Sequence, residues 1–155
     1  MPEYGYQQVE AWNTALRLTT AIGRLKVGSN LKAAADAQQH AFEQAGLACA
    51  LIADGSTRDG GAQAALYRDA RGALVQSRSW LHVLAAVMNE PDTVFANELD
   101  LAEAASRQLS ALLRTMERGP GQGAGVGGPR QGPPAGRGGP PQGGRPPGRG
   151  SGAPR

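Results

Sequence analysis

The stretch Leu66-Tyr67-Arg68-Asp69-Ala70-Arg71-Gly72-Ala73-Leu74-Val75-Gln76-Ser77-Arg78-Ser79-Trp80-Leu81-His82-Val83-Leu84 decides the fold. Leu66, Ala70, Ala73, Leu74, Ser77, Leu81 and Leu84 recur at three- and four-residue spacing. At ~100° per residue they share one face of a helix, and a strand has no such period. The pattern predicts helix over about residues 62–89. Glu90-Pro91-Asp92 ends it, because proline disfavours helix at the residue before it.

Three further segments read the same way. Over about residues 7–26, Val9, Trp12, Ala15, Leu16, Leu18, Ile22 and Leu25 form an apolar face that places Trp12 between helices. Val27-Gly28-Ser29-Asn30 breaks the pattern, with Gly28 suited to a helix C′ position and Ser29 or Asn30 to the next cap. The segment over about residues 31–53 is Ala-rich and then carries Phe42, Ala45, Leu51 and Ile52, with a break from Asp54 to Gly61. Over about residues 93–118, Phe95, Ala102, Ala105, Leu109, Leu112, Leu113 and Met116 make the last stripe, stopped by Gly119-Pro120. Each segment is ~20–28 residues, or ~30–40 Å long. Similar lengths and short breaks predict an all-α fold, an up-down-up-down four-helix bundle over residues 1–118.

Composition changes abruptly at Arg118-Gly119. The last 37 residues hold 15 Gly, 9 Pro and 5 Arg, with no acid, aromatic, Leu or Ile. Such a segment buries too little apolar surface to offset the entropy of ordering its backbone. Residues 119–155 are therefore expected to be a disordered Gly/Pro/Arg-rich tail. The charge divides at the same place. Residues 1–118 carry 11 Lys+Arg and 13 acids, a net of −2, and the tail carries +5. The basic character thus belongs to the tail.

The only cysteine, Cys49, lies in an apolar stretch and reads as a small core residue, so no disulfide forms within the chain. The start of the chain lacks the basic and apolar regions of a secretory signal, and no apolar run approaches the ~20 residues that span a membrane. A cytoplasmic location is expected. P-loop, CxxC, HExxH and nucleophile-elbow motifs are absent. His40, with Asp36 and Glu43 one turn away, reads as a helix-surface residue rather than a metal ligand. Glu98, Asp100 and Glu103 read as a solvated face. No catalytic residue, metal or cofactor is expected, and the chain reads as a non-enzyme.

Two features bear on binding. Arg68, Arg71, Arg78 and His82 fall within an arc of ~80°, away from the apolar stripe. This basic ridge is either a solvated face or a contact surface for phosphates or an acidic partner. In the tail, Arg137, Arg145 and Arg149 sit in Gly-Arg-Gly-type contexts and Arg130 lies nearby. These resemble RGG-type segments that contact RNA through charge and stacking, here without Phe or Tyr. The alternative is a plain flexible extension.

The body resembles the bacterial four helix bundle protein family. That family includes proteins encoded in intervening sequences of 23S ribosomal RNA genes and the accessory variability determinant (Avd) of diversity-generating retroelements. The family's opening aromatic, Leu, Val-Trp-Gln and Ala read here as Tyr6, Val9, Ala11-Trp12-Asn13 and Ala15. Its Asn-Ile-Ala-Glu-Gly at the end of the second helix reads as Leu51-Ile52-Ala53-Asp54-Gly55. Its Phe-Leu…Ala-x-Gly-Ser in the third reads as Leu66-Tyr67…Ala70-Arg71-Gly72-Ala73. Where the family's second helix carries Gln-Leu-Arg-Arg, this chain has His40-Ala41-Phe42-Glu43, which removes basic surface. The resemblance spans about residues 6–118. It implies a non-enzymatic pentamer that binds RNA or DNA with low specificity and partners a reverse transcriptase. The other reading is a structural or protein-interaction bundle with no nucleic-acid role.

Overall fold

The structure, a computed structural model, describes residues 5–28 and 31–119. Among these residues there are four α-helices and no strand: α1 (Glu10–Gly23), α2 (Lys32–Gly55), α3 (Gly60–Met88) and α4 (Ala96–Arg118). Single 3-10 turns, Gly5–Gln8 and Asp92–Phe95, lead into α1 and α4. The expected tail, from residue 120 onward, lies outside the described residues. Among the described residues no helix is long and apolar enough to cross a membrane.

Each helix packs mainly on two others: α1 on α2 and α4, and α3 on α2 and α4. Leu18, Ile22, Ile52, Leu74, Leu81, Leu84 and Leu109 are fully buried where they meet. Each such side chain contributes ~1.5–3 kcal/mol by leaving water. The α2–α3 contact is the most extensive. Along most of its length α2 buries only alanine, at Ala34, Ala37, Ala41, Ala45 and Ala48. Small side chains let the backbones approach. The buried Ser77 hydroxyl donates 2.8 Å to the main-chain carbonyl of Ala41, which satisfies the one polar residue of the α3 stripe. At the end of α2 the Tyr67 ring lies on Gly55, where an added Cβ would meet its Cε1 at 2.7 Å.

The helix ends show where local signals win. Asn89 takes the left-handed conformation, φ 55°, and closes α3. The Glu90 N–H then donates to Ala85 O and the Asn89 N–H to Ala86 O, so carbonyls of the last turn stay bonded. Gly119, φ 62°, stops α4.

Several expectations are corrected. α1 ends at Gly23, not near Lys26, and Gly28 is no C′ residue. The end is set from α2: the Gln38 side-chain amide donates to Ile22 O at 2.8 Å and to Leu25 O at 2.9 Å. Ser29 and Asn30 lie outside the described residues, and the N-cap position of α2 falls at Leu31 without a side-chain cap. In α3, Tyr67 is buried and Leu66 only partly so. Trp12 is half-buried at the core edge, its ring 4.9 Å from that of Tyr6. Leu16 and Leu112 of the expected stripes are exposed. Glu98 is not on a solvated face: it is 7% exposed and accepts a 3.1 Å hydrogen bond from Asn97.

Candidate nucleic-acid interface

Burial of Tyr67, Leu74, Leu81 and Leu84 fixes the roll of α3 about its axis. Arg68, Arg71, Arg78 and His82 then emerge on the side of α3 next to α4. On α4 the burial of Ala102, Ala105, Leu109 and Leu113 sets Glu103, Ser110 and Glu117 opposite them. Arg68 pairs with Glu117 at 3.3 Å and Arg78 with Glu103 at 2.7 Å. Between them the Arg71 guanidinium donates to the Ser110 hydroxyl at 3.3 Å. His82 lies 3.1 Å from Asp92, in the turn that leads into α4. Numbers rise along α3 as they fall along α4, so the four contacts form one ladder.

The structure therefore brings the ridge together, but as a seam. Arg68 and Arg78 keep about half of their side-chain surface in water, and so do their acids. A phosphate at either arginine competes with a carboxylate already in place. Arg71 has a neutral partner, and no carboxylate pairs with it among the described residues. Arg130, Arg137, Arg145 and Arg149 lie outside the described residues.

Arg107 and Arg114 escape the sequence reading. Both are exposed on α4, with no carboxylate in ion-pair range among the described residues. Their signal is their spacing: seven residues apart, they fall ~20° from each other around the helix. Sequence could not show that neighbouring acids are engaged elsewhere.

Other groups carry less chemistry. Among the described residues no three His, Cys, Asp or Glu side chains gather as a metal set. His40 is exposed, stacks on Trp80 with centroids 4.5 Å apart, and lies 3.7 Å from Glu43. Cys49 is half-buried with its Sγ 3.7 Å from the Thr19 hydroxyl, and burial pushes its thiol pKa up. A cleft of about 460 Å³ opens where the start of α1 meets α3 and α4, lined by Val9, Ala11, Tyr67, Gln108 and Leu112 among others. Burial raises the Tyr67 pKa as well, with the amide of Gln63 3.4 Å from its hydroxyl. Gln108 Oε1 is buried there with no hydrogen-bond partner among the described residues.

The chain matches no protein-family model, no curated protein and no solved structure. The resemblance to the four helix bundle family thus rests on the aligned residues themselves.

Proposed function

We propose that this chain is a non-enzymatic accessory protein of the Avd type. In this reading it self-associates in the cytoplasm, binds template RNA or its cDNA, and docks a retroelement reverse transcriptase that supplies the chemistry. The fold proposed for it is an up-down-up-down bundle. Support comes from contacts whose numbers run in opposite senses. Ile22 meets Gln38 and Thr19 meets Cys49, Ala41 meets Ser77 and Gly55 meets Tyr67, Glu103 meets Arg78 and Glu117 meets Arg68.

The observation that carries the nucleic-acid reading is the gathering of arginines on the exposed side of α3 and α4. Arginine there meets phosphate oxygens rather than base edges, so binding is weakly sequence-selective. Self-association is supported by apolar side chains left in water, among them Leu16, Phe42, Leu47, Val75 and Val83; Leu47 is 46% exposed. A ring, five copies by the family resemblance, multiplies weak contacts through effective concentration.

A second reading is favoured by a specific observation. The pairs Arg68–Glu117, Arg78–Glu103 and His82–Asp92 make the ridge a self-satisfied seam, as a structural or interaction bundle would have it. Light scattering combined with co-purification separates the two. The proposed protein is an oligomer at micromolar concentration and retains the reverse transcriptase encoded beside it. A monomer that retains neither RNA nor polymerase leaves the structural bundle standing.

A further inference from the structure

Six arginines lie along the outer sides of α3 and α4, and their neighbours divide them. Arg68 and Arg78 face carboxylates at 3.3 and 2.7 Å. Arg71 faces only the Ser110 hydroxyl, which itself donates 2.9 Å to Ser106 O. Arg107 and Arg114 stand three residues before and four after Ser110 on α4, the spacing at which side chains share one helix face. Both are exposed and lack an ion-pair partner among the described residues. Arg118 continues the same side one turn on and is likewise exposed without one. The nearest acids along α4, Glu103 and Glu117, are engaged by Arg78 and Arg68. Asp100, seven residues before Arg107 and exposed, is an acid of this side with no ion-pair partner among the described residues. It stands ~10 Å from Arg107 along the axis.

We propose that Arg71, which donates to Ser110, together with Arg107 and Arg114, which lie about one turn either side of Ser110 on α4, forms the phosphate-backbone site of this protein, and that the paired Arg68 and Arg78 hold the seam beside it. This inference rests on the nucleic-acid reading given above and alters which residues carry it. A phosphate arriving at Arg71 displaces only a hydroxyl, whereas at Arg78 it displaces a carboxylate. Arg107 and Arg114 are ~10 Å apart along α4, close enough for one strand to meet both at once. Glu103 and Glu117, the acids nearest the site, are engaged by Arg78 and Arg68 and so do not cancel the charge at its centre. The chain leaves α4 at Gly119, five residues beyond Arg114, and runs on into the Arg-bearing tail sequence.

The test is fluorescence anisotropy of the full chain with a labelled mixed-sequence single-stranded RNA, across a salt series. Each neutralised phosphate adds ~0.7 to the slope of log affinity against log salt. The double variant Arg107→Gln/Arg114→Gln is expected to bind at least ~10-fold more weakly at low salt, with the slope reduced by ~1.4. Arg107→Lys/Arg114→Lys keeps most of the slope, because charge is retained. Arg68→Gln/Glu117→Gln, which removes one seam pair without changing net charge, is expected to leave the slope unchanged, and a slope reduced as far as in the first pair overturns the division between the two sets of arginines. Arg17→Gln/Arg24→Gln removes the same charge from α1 and the residue that follows it. A loss there equal to that of the Arg107/Arg114 pair overturns the site, since net charge alone then explains binding. An unchanged slope in Arg107→Gln/Arg114→Gln, with wild-type binding intact, also overturns it. If wild type itself binds no RNA, the nucleic-acid reading falls first.

Discussion

Helix α3 has two seams built on opposite principles. Toward α2 it is dry and close: alanines line α2, Ser77 reaches a main-chain carbonyl, and Tyr67 covers Gly55. Toward α4 its rim is wet, with arginines and His82 meeting acids and a hydroxyl at half-exposed positions. Dry packing of small residues is destabilised by added volume and is not screened by salt as an ion pair is. Exposed ion pairs are worth little to stability, weaken with salt, and can exchange partners. One seam therefore holds the fold, and the other is free to present charge.

The sharpest way to break this contrast is to add volume to the dry seam. Gly55→Val puts a Cβ 2.7 Å from the Tyr67 ring and 3.3 Å from Leu66 Cβ. The expected loss is ~1–3 kcal/mol by urea denaturation, and an unchanged midpoint means that the α2–α3 contact is looser than described. Ser77→Ala on the same seam deletes one buried hydrogen bond and is expected to cost ~1 kcal/mol. On the wet seam, a double-mutant cycle on Arg78 and Glu103 is expected to give a coupling of ~0.2–1 kcal/mol that shrinks in high salt. A coupling as large as the Gly55 effect erases the distinction between the seams.

The smallest effect concerns Cys49 on the α1–α2 side. Burial holds its thiol above the ordinary value of 9.0. The unfolded chain therefore ionises first as pH rises, and stability falls once pH passes that value; well below it the group contributes no pH dependence. Melting temperature is expected to drop between about pH 8 and about pH 10 more in wild type than in Cys49→Ala. Tyr67, also raised by burial, acts in the same direction at higher pH in both proteins.

The two seams were unequally legible. The stripe Ala70, Ala73, Leu74, Ser77, Leu81 and Leu84 is buried as its period implies, because 3.6-residue periodicity is a local property. Tyr67 replaces Leu66 because Gly55, twelve residues away, leaves room for a ring. The end of α1 has no local signal for a similar reason, since Gln38 of α2 binds the carbonyls of Ile22 and Leu25. Glu98 was misread because charge suggests exposure and its burial is set by packing. On the wet seam, residue type revealed that Arg68, Arg71 and Arg78 share a side. Which of them are already paired, and that Arg107 and Arg114 are not, depends on the facing helix and has no local signature.

The most direct measurement is the affinity of the full-length chain for single-stranded RNA between roughly 50 and 200 mM salt. Log affinity is expected to fall linearly with log salt, with little change between RNA sequences, as arginine–phosphate contacts require. No binding at the low-salt end, or binding indifferent to salt, contradicts the proposed nucleic-acid function and leaves Arg68, Arg71 and Arg78 as contacts of the α3–α4 seam alone.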